Sequence, residues 1–275
     1  MLTMDALRDG LDGEGDALTL TLERAFQGLP DTAHGGSVLA AFDLVAERPG
    51  PRALRAHYLR RVPLGVPLRL SVTRAAGGAA FSVREGDATL VEGAVTAADL
   101  GVAATPTPPP PDAPPLPISR ECFACGTDNP LGLGVRLRAD DTAVGGTWQP
   151  RPGFAEADGA LATVALTTLL DEAAFWLGAL ATGEAGMTTE LRVMMHGPAR
   201  GDDAITVAGA RAAVRARPDA RYWDTAVTAR GADGRLVASA AITFVAVRGA
   251  ASRLTAGMLA VNARDLLRRV FPAYV

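Results

Sequence analysis

The chain has 275 residues, of which 48% are hydrophobic and 21% charged, and its formal net charge is −3. That length is enough to bury one large hydrophobic core or two of ordinary domain size. The slightly negative charge argues against binding to nucleic acid, and every basic residue is arginine, which excludes Schiff-base and P-loop lysine chemistry.

The first eighteen residues carry acidic side chains where a secretory signal would carry a basic segment and an apolar run. No uncharged apolar stretch long enough to span a membrane follows. The longest candidate, residues 159–170, ends at Asp171 and Glu172. We therefore expect a cytoplasmic protein that does not associate with membranes.

A proline-rich segment at residues 105–117 can form neither a helix nor a central strand, and it predicts a stiff, extended connection. The order of elements on its two sides is similar, which indicates an internal repeat. We predict a first domain at residues 1–104, a linker at 105–117, a second domain at 118–250 and a helical tail at 251–275.

The hydrophobic pattern predicts one apolar helix and several strands in each half. In the first half we predict a strand at 17–22, a helix at 36–47 and strands at 53–60, 68–75, 79–84 and 88–96. In the second half we predict strands at 134–138 and 143–149, a helix at 159–181 and strands at 188–195, 204–213, 222–229 and 236–247. The tail predicts one amphipathic helix at 255–271.

Both central helices are apolar on nearly all faces, so each must be enclosed by other parts of the fold. A curved antiparallel sheet wrapped around one helix satisfies this requirement. Two such sheets, docked side by side, would also cover edges that each exposes alone. The predicted class is therefore α+β, with two similar units on one chain.

Four segments in this order resemble the hotdog-fold thioesterase superfamily in its tandem form, and the resemblance covers about residues 17–247. They are HGGSVLAAFD at 34–43, LRAHYLRRVPLGVPLRLSV at 54–72, CFACGTDNPLGLGVRLR at 122–138 and LTTLLDEAAFW at 166–176. The resemblance implies a pseudo-dimer of two hotdog units that acts on an acyl-CoA, with CoA as part of the substrate. It implies no further cofactor and no metal, and it leaves open a homodimer of such chains.

In that family the acid of one unit acts on a substrate held at the glycine turn of its partner. Carried over, this pairs His34-Gly35-Gly36 with Asp171 of the second unit. The reciprocal site would use Asp43, but nine residues before Asp171 stand Ala162-Thr163-Val164 instead of His-Gly-Gly. We therefore predict one competent site and one degenerate site.

Thioester hydrolysis needs a general base or a nucleophile together with donors for the oxyanion. A Gly-Gly pair at a helix N-terminus offers free N–H groups, and a buried carboxylate is a stronger base than an exposed one. Asp43 and Asp171 could instead be structural acids paired with arginine. We expect Glu172 at the helix surface, His34 to orient the loop, and His57 and His196 to be structural. The candidate site residues are thus Asp171, Gly36, Gly35, His34, Asp43 and Glu172.

Cys122 and Cys125 are the only cysteines, so they can form neither a disulfide framework nor a four-cysteine zinc site. Their spacing is that of a redox pair or half a zinc site, and the resemblance treats it as a structural opening of the domain. The function predicted is acyl-CoA thioesterase. The alternatives are a non-catalytic acyl-binding or scaffold protein and, with less support in the residues, a hydratase or dehydratase.

Overall fold

The computed structural model describes residues 2–98 and 106–275. The helices are α1 (Thr3–Asp9), α2 (Gly35–Ala46), α3 (Thr163–Thr182), α4 (Ala250–Met258) and α5 (Arg264–Val270). The strands are β1 (Leu11–Glu14), β2 (Ala17–Leu20), β3 (Arg52–Tyr58), β4 (Leu68–Ala75), β5 (Gly78–Glu85), β6 (Ala88–Ala97), β7 (Arg138–Ala139), β8 (Ala143–Trp148), β9 (Gly186–Met195), β10 (Ile205–Ala210), β11 (Arg215–Ala216), β12 (Tyr222–Arg230) and β13 (Leu236–Ala246).

The strands form one continuous sheet in the order β1-β2-β4-β5-β6-β3-β9-β13-β12-β10-β8-β7, with β11 paired to β12. The two halves meet where β3 pairs antiparallel with β9, from Arg52 opposite Met195 to His57 opposite Glu190. The docking of two sheets side by side thus takes the form of a shared ladder of hydrogen bonds. Both strands that would be edges of the separate units are covered in this way.

A buried carboxylate, Glu190, fastens this junction on one face of the sheet. Its Oε1 lies 2.9 Å from Arg55 Nε, 2.9 Å from His57 Nε2 and 2.6 Å from Arg192 Nη2. Burial alone raises the pKa of Glu190, but the Arg192 hydrogen bond and the neighbouring positive charges outweigh it, so the pKa lies below its ordinary value. His57 takes part in this cluster through its contact with Glu190 and also lines a cavity, so its structural role stays a prediction.

Helices α2 and α3 pack against each other and against the sheet, α2 on β6, β3 and β5, and α3 on β13, β12, β9 and β10. Glu47 ends α2 and Gly183 ends α3, both in the left-handed conformation at φ 49° and 69°. By length and composition α3 could cross a bilayer, but 83% of its most apolar window is buried inside the fold. It is a core helix, as its all-round apolar sequence predicts.

The two halves repeat the same approach to their central helix. A short 3-10 turn comes first, at Arg24–Phe26 and at Pro152–Phe154. The N-cap residue then donates its N–H to the carbonyl of the aromatic residue that ends this turn: His34 to Phe26 and Ala162 to Phe154, both at 2.8 Å. This match makes Ala162 the counterpart of His34 and Asp171 the counterpart of Asp43.

Several predicted bounds were wrong. Helix α3 begins at Thr163 rather than 159, because Ala155 forms a β-bridge with Leu161 and Ala160 forms one with Arg200, which keeps this approach extended. The strand predicted at 134–138 is reduced to β7. The tail forms two helices, α4 and α5, and Leu259 at the break between them is 40% exposed. Helix α1 was not predicted, although it buries Met4 and Leu7.

The proline-rich segment, where the structure describes it, runs along the outer edge of the second unit. Leu116 N–H donates to Leu137 O, and Pro115 forms a bridge with Arg138. Ala113 and Leu116 are buried. The predicted boundary at residues 104 and 105 lies outside the described residues, so the domain limits stay a prediction.

Candidate functional site

A cavity of about 610 Å³ lies at the junction of the two units. The first unit contributes His34, Gly35 and Tyr58 to its wall, and the second contributes Asp171 and Thr188. Apolar side chains line another part of it: Phe175, Trp176, Met187, Val245, Val247, Leu254 and Met258. A polar end beside an apolar wall is the composition typical of a small-molecule site.

Asp171 lies at the polar end and is 5% exposed. Its Oδ2 accepts from the backbone N–H of Gly36 at 3.2 Å, and its Oδ1 accepts from the Thr188 hydroxyl at 2.6 Å. Burial raises the pKa of Asp171 above its ordinary value, although the His34 charge and these two hydrogen bonds oppose the shift. A carboxylate of the second unit therefore faces the helix start of the first.

His34 is the N-cap of α2, and its Nδ1 lies 3.2 Å from Gly36 N and 3.3 Å from Asp171 Oδ2. Burial lowers the pKa of His34, but the Glu172 hydrogen bond and the Asp171 charge outweigh it and raise the value to about 9. The imidazole then carries protons on both nitrogens. In that form Nδ1 donates to Asp171, and the Gly36 N–H is left to the carboxylate alone.

The two glycines are required for different reasons. A Cβ on Gly35 would lie 2.8 Å from Asp171 Oδ2, whereas a Cβ on Gly36 would lie 2.6 Å from Thr168 N and 2.7 Å from Thr167 O in the backbone of α3. Gly35 thus keeps the space beside the carboxylate open, and Gly36 allows the two helices to touch. Among residues 2–98 and 106–275 the Gly35 N–H has no hydrogen-bond partner, so it remains an available donor.

Glu172 is buried at 6% exposure, so the expectation that it lies at the helix surface was wrong. Its Oε1 accepts from Trp176 Nε1 at 2.9 Å, one helical turn further along α3. Its Oε2 lies 3.8 Å from His34 Nε2. Cys122 and Cys125, both buried, lie beside Glu172, and all three residues line the cavity.

Asp43 lies away from the other candidates and does not line this cavity. Its two oxygens accept from Arg52 Nε at 2.5 Å and Nη2 at 2.6 Å, and Oδ2 also accepts from the Thr163 hydroxyl at 2.6 Å. Thr163 takes the position that Gly35 holds in the first unit, and it fills the approach to this carboxylate. The geometry at Asp43 is that of a structural ion pair.

Sequence reasoning missed Thr188 and Tyr58. The Tyr58 hydroxyl donates to Gly35 O at 2.6 Å, and burial together with the Asp171 charge raises the pKa of Tyr58, which keeps that hydroxyl protonated. Both residues lie on strands, and no sequence motif surrounds either of them. Their place at the site follows only from the pairing of β3 with β9. His196, predicted to be structural, contacts Ser239 at 2.8 Å.

Residues 26–105 match the family described as acyl-CoA thioesterase N-terminal domain. A protein from Thermobifida fusca YX with the provisional name thioesterase II is similar in structure, with a TM-score of 0.65 at 16% identity over 90% of this chain and 98% of that one. An acyl-CoA thioesterase II from Mycobacterium marinum gives 0.57 at 13% identity over 90% and 98%. No curated protein shows significant sequence similarity to the chain.

The chain has a double-hotdog fold. The predicted α+β fold with two tandem units is confirmed by the antiparallel sheet with its two central helices and by a solved structure that is similar over 90% of the chain. A dehydratase, GphF dehydratase 1, also shares the fold, with a TM-score of 0.57 at 15% identity over 84% of this chain and 93% of that one. Because one fold serves several activities, the double-hotdog architecture leaves the reaction to be argued from the site.

Proposed function

We propose that this double-hotdog protein is an acyl-CoA thioesterase with one catalytic site, in which Asp171 of the second unit acts at the Gly35-Gly36 helix start of the first. The observation that carries the proposal is the 3.2 Å contact between Asp171 Oδ2 and Gly36 N across the junction. The thioesterase family match of the first unit supports the reaction class, and CoA enters only as part of the substrate.

In the proposed reaction Asp171 takes a proton from water as the water oxygen attacks the thioester carbon. The carbonyl oxygen becomes an oxyanion. The Gly35 N–H, at the positive end of α2, stabilises that charge by donating a hydrogen bond to it. The tetrahedral intermediate collapses by breaking the carbon–sulfur bond. The proton held by Asp171 then passes to the CoA thiolate, which leaves a free carboxylic acid and CoA.

The surrounding residues position these groups. The Thr188 hydroxyl and the Gly36 N–H fix the carboxylate of Asp171, and the Tyr58 hydroxyl holds the Gly35 carbonyl. The acyl chain would lie along the apolar wall formed by residues such as Phe175 and Met187. At the equivalent helix start of the second unit, the facing carboxylate, Asp43 of the first unit, is neutralised by Arg52, which supports a degenerate partner site.

A second candidate is a hydratase, because His34 Nδ1 and Asp171 Oδ2 lie 3.3 Å apart in the cavity. An acid and an imidazole at this separation can move protons to and from carbon as well as to and from oxygen. Enoyl-CoA hydration would show this activity directly.

The test is hydrolysis of short, long and aromatic acyl-CoAs, followed by the release of free CoA thiol, for wild type, Asp171→Asn and Asp43→Asn. The two variants make the same chemical change on two buried helical carboxylates. Activity that falls by about 10²-fold or more only in Asp171→Asn supports the single crossed site. Equal loss in both, measured on protein verified as folded, contradicts it. Binding without turnover of any acyl-CoA or enoyl-CoA supports the non-catalytic alternative.

A further inference from the structure

Next to Asp171, on the far side of His34, a group of metal-ligating side chains plays no part in the proposed hydrolysis. Cys122 Sγ, Cys125 Sγ and a carboxylate oxygen of Glu172 all lie within 4.8 Å of one another, and all three residues are buried. His34 Nε2 lies 3.8 Å from Glu172 Oε2. We propose that these four side chains form a zinc site that joins the two units.

The donor set fits zinc. Two thiolates, an imidazole and a carboxylate are the donors that Zn²⁺ takes in tetrahedral sites, at about 2.3 Å to sulfur and about 2.0 Å to nitrogen or oxygen. Bonds of this length place neighbouring ligand atoms about 3.3–3.8 Å apart. The 3.8 Å between His34 Nε2 and Glu172 Oε2 is about 0.5 Å longer than the edge between a nitrogen and an oxygen ligand. His34 also lies outside the group of three residues whose ligand atoms are within 4.8 Å of one another, so zinc binding requires the imidazole and the two sulfurs to move closer.

The local backbone supports a metal knuckle. Cys122 and Cys125 have two residues between them in Cys-Phe-Ala-Cys-Gly, and Gly126 N–H donates to Cys122 O at 2.8 Å, which folds the segment into a turn. A Cβ on Gly126 would lie 2.3 Å from that same carbonyl oxygen, so the turn requires glycine here. The turn presents both sulfurs on one side, towards Glu172 of α3.

The groups behind two ligands hold them in the orientation that a metal needs. Trp176 Nε1 donates to Glu172 Oε1 at 2.9 Å, which leaves Oε2 as the free oxygen. Asp171 Oδ2 lies 3.3 Å from His34 Nδ1, so Nδ1–H can donate to a carboxylate while the ion displaces the proton from Nε2 and binds that nitrogen. A carboxylate behind the histidine is the usual partner of a zinc-bound imidazole.

A path for the ion exists as well, because the four residues line the same cavity of about 610 Å³. The site would tie three separate parts of the chain together. The cysteine turn already docks on the first unit, where Phe123 N–H donates to Gln27 O at 2.6 Å. A bound ion would fasten that turn to α3 and to the start of α2.

The first measurement uses the unaltered chain and its only two thiols. Metal content of protein purified without chelator is read by mass spectrometry, and the chain freed of metal is then treated with iodoacetamide with and without added zinc, its alkylation counted by intact mass. We expect one zinc per chain and protection of both thiols. Alkylation unaffected by zinc overturns the proposal, as does a chain that has lost two hydrogens to a disulfide and binds no zinc.

Cobalt identifies the ligands. Substitution of Co²⁺ should give thiolate-to-cobalt charge-transfer absorption and the visible bands of a tetrahedral site. Cys122→Ser and Glu172→Gln should lose or shift these bands, and His34→Ala should weaken cobalt affinity. His57→Asn is the matched control, because His57 also contacts a buried glutamate but has no thiol nearby, and its spectrum should equal that of wild type. Wild-type bands in Glu172→Gln would remove Glu172 from the site. None of these readouts depends on thioesterase activity.

Discussion

The two adjacent glycines at the start of α2 should respond differently to substitution by alanine. Gly36→Ala should lose stability, whereas Gly35→Ala should lose activity. In Gly36→Ala the new Cβ would lie 2.6–2.7 Å from backbone atoms of α3, which cannot rotate away as a side chain can. Overpacking of this kind costs about 3 kcal/mol at the upper end of its usual range. Alanine recovers at most about 1 kcal/mol through helix propensity and a stiffer unfolded chain. We expect a net loss of about 2 kcal/mol or more.

Gly35→Ala places its Cβ 2.8 Å from Asp171 Oδ2, which is the end of a side chain and can move by a few tenths of an ångström. Stability should change by less than about 1 kcal/mol. Activity should fall by up to about 10²-fold, because the displaced atom is the proposed base and a misplacement of about 1 Å has an effect of that size.

Urea unfolding and acyl-CoA hydrolysis below the transition separate the two effects. A loss of about 2 kcal/mol corresponds to a fall in melting temperature of about 4–8 °C for a chain of this size. Gly257→Ala in α4 is the control, since nothing lies within 4 Å of its Cβ, and it should be neutral or slightly stabilising. A Gly36→Ala protein as stable as wild type, or a Gly35→Ala protein with full activity, would refute this reading of the helix contact.

Four further substitutions test the buried polar groups. Arg52→Met leaves Asp43 buried without its cation and should cost about 3 kcal/mol in urea unfolding while activity per folded molecule stays unchanged; loss of activity alone would contradict a structural role. Glu190→Gln should cost about 1.5–3 kcal/mol at pH 7. Because the folded-state pKa of Glu190 is lowered, the wild type should lose this advantage as the pH falls below about 4.3, and a difference that is independent of pH would contradict the ion cluster. Thr168→Val should stabilise by about 1 kcal/mol, since no described residue bonds the buried Thr168 hydroxyl, whereas Thr167→Val should destabilise because its hydroxyl donates to Gly36 O; differential unfolding of the pair decides this.

The fold could be predicted because two signals agree over long stretches. The helices at 36–47 and 159–181 are apolar all round, and alternating strands follow each of them, so the central elements lie within a few residues of their observed bounds. The interruption of the C-terminal helix is a tertiary effect. The spacing of apolar residues in the tail predicts one continuous helix, and it does not predict the break after Met258.

The site could be predicted only where a motif marks it. His34, Gly35 and Asp171 line one cavity, and the Gly36 N–H contacts Asp171 beside it, because the repeat places each helix start next to the partner's acid. Glu172 was wrongly predicted to lie at the helix surface, because charged side chains are usually exposed. The cysteine segment that packs beside it lies some fifty residues earlier in the chain. Thr188 and Tyr58 depend on strand pairing across the two units, which local sequence does not encode.

The shared ladder between β3 and β9 also bears on how such a protein can change over time. In a dimer of identical subunits every substitution appears twice, so a glycine needed at one active site must be kept at both. Here the two halves are fixed to each other on one chain, and each position has a single copy. That arrangement allows the second unit to carry Ala162-Thr163-Val164 where the first carries His34-Gly35-Gly36, and it allows Asp43 to pair with Arg52 while the helix start of the first unit stays open. A single chain with two fixed halves permits this asymmetry, whereas a dimer of identical subunits does not.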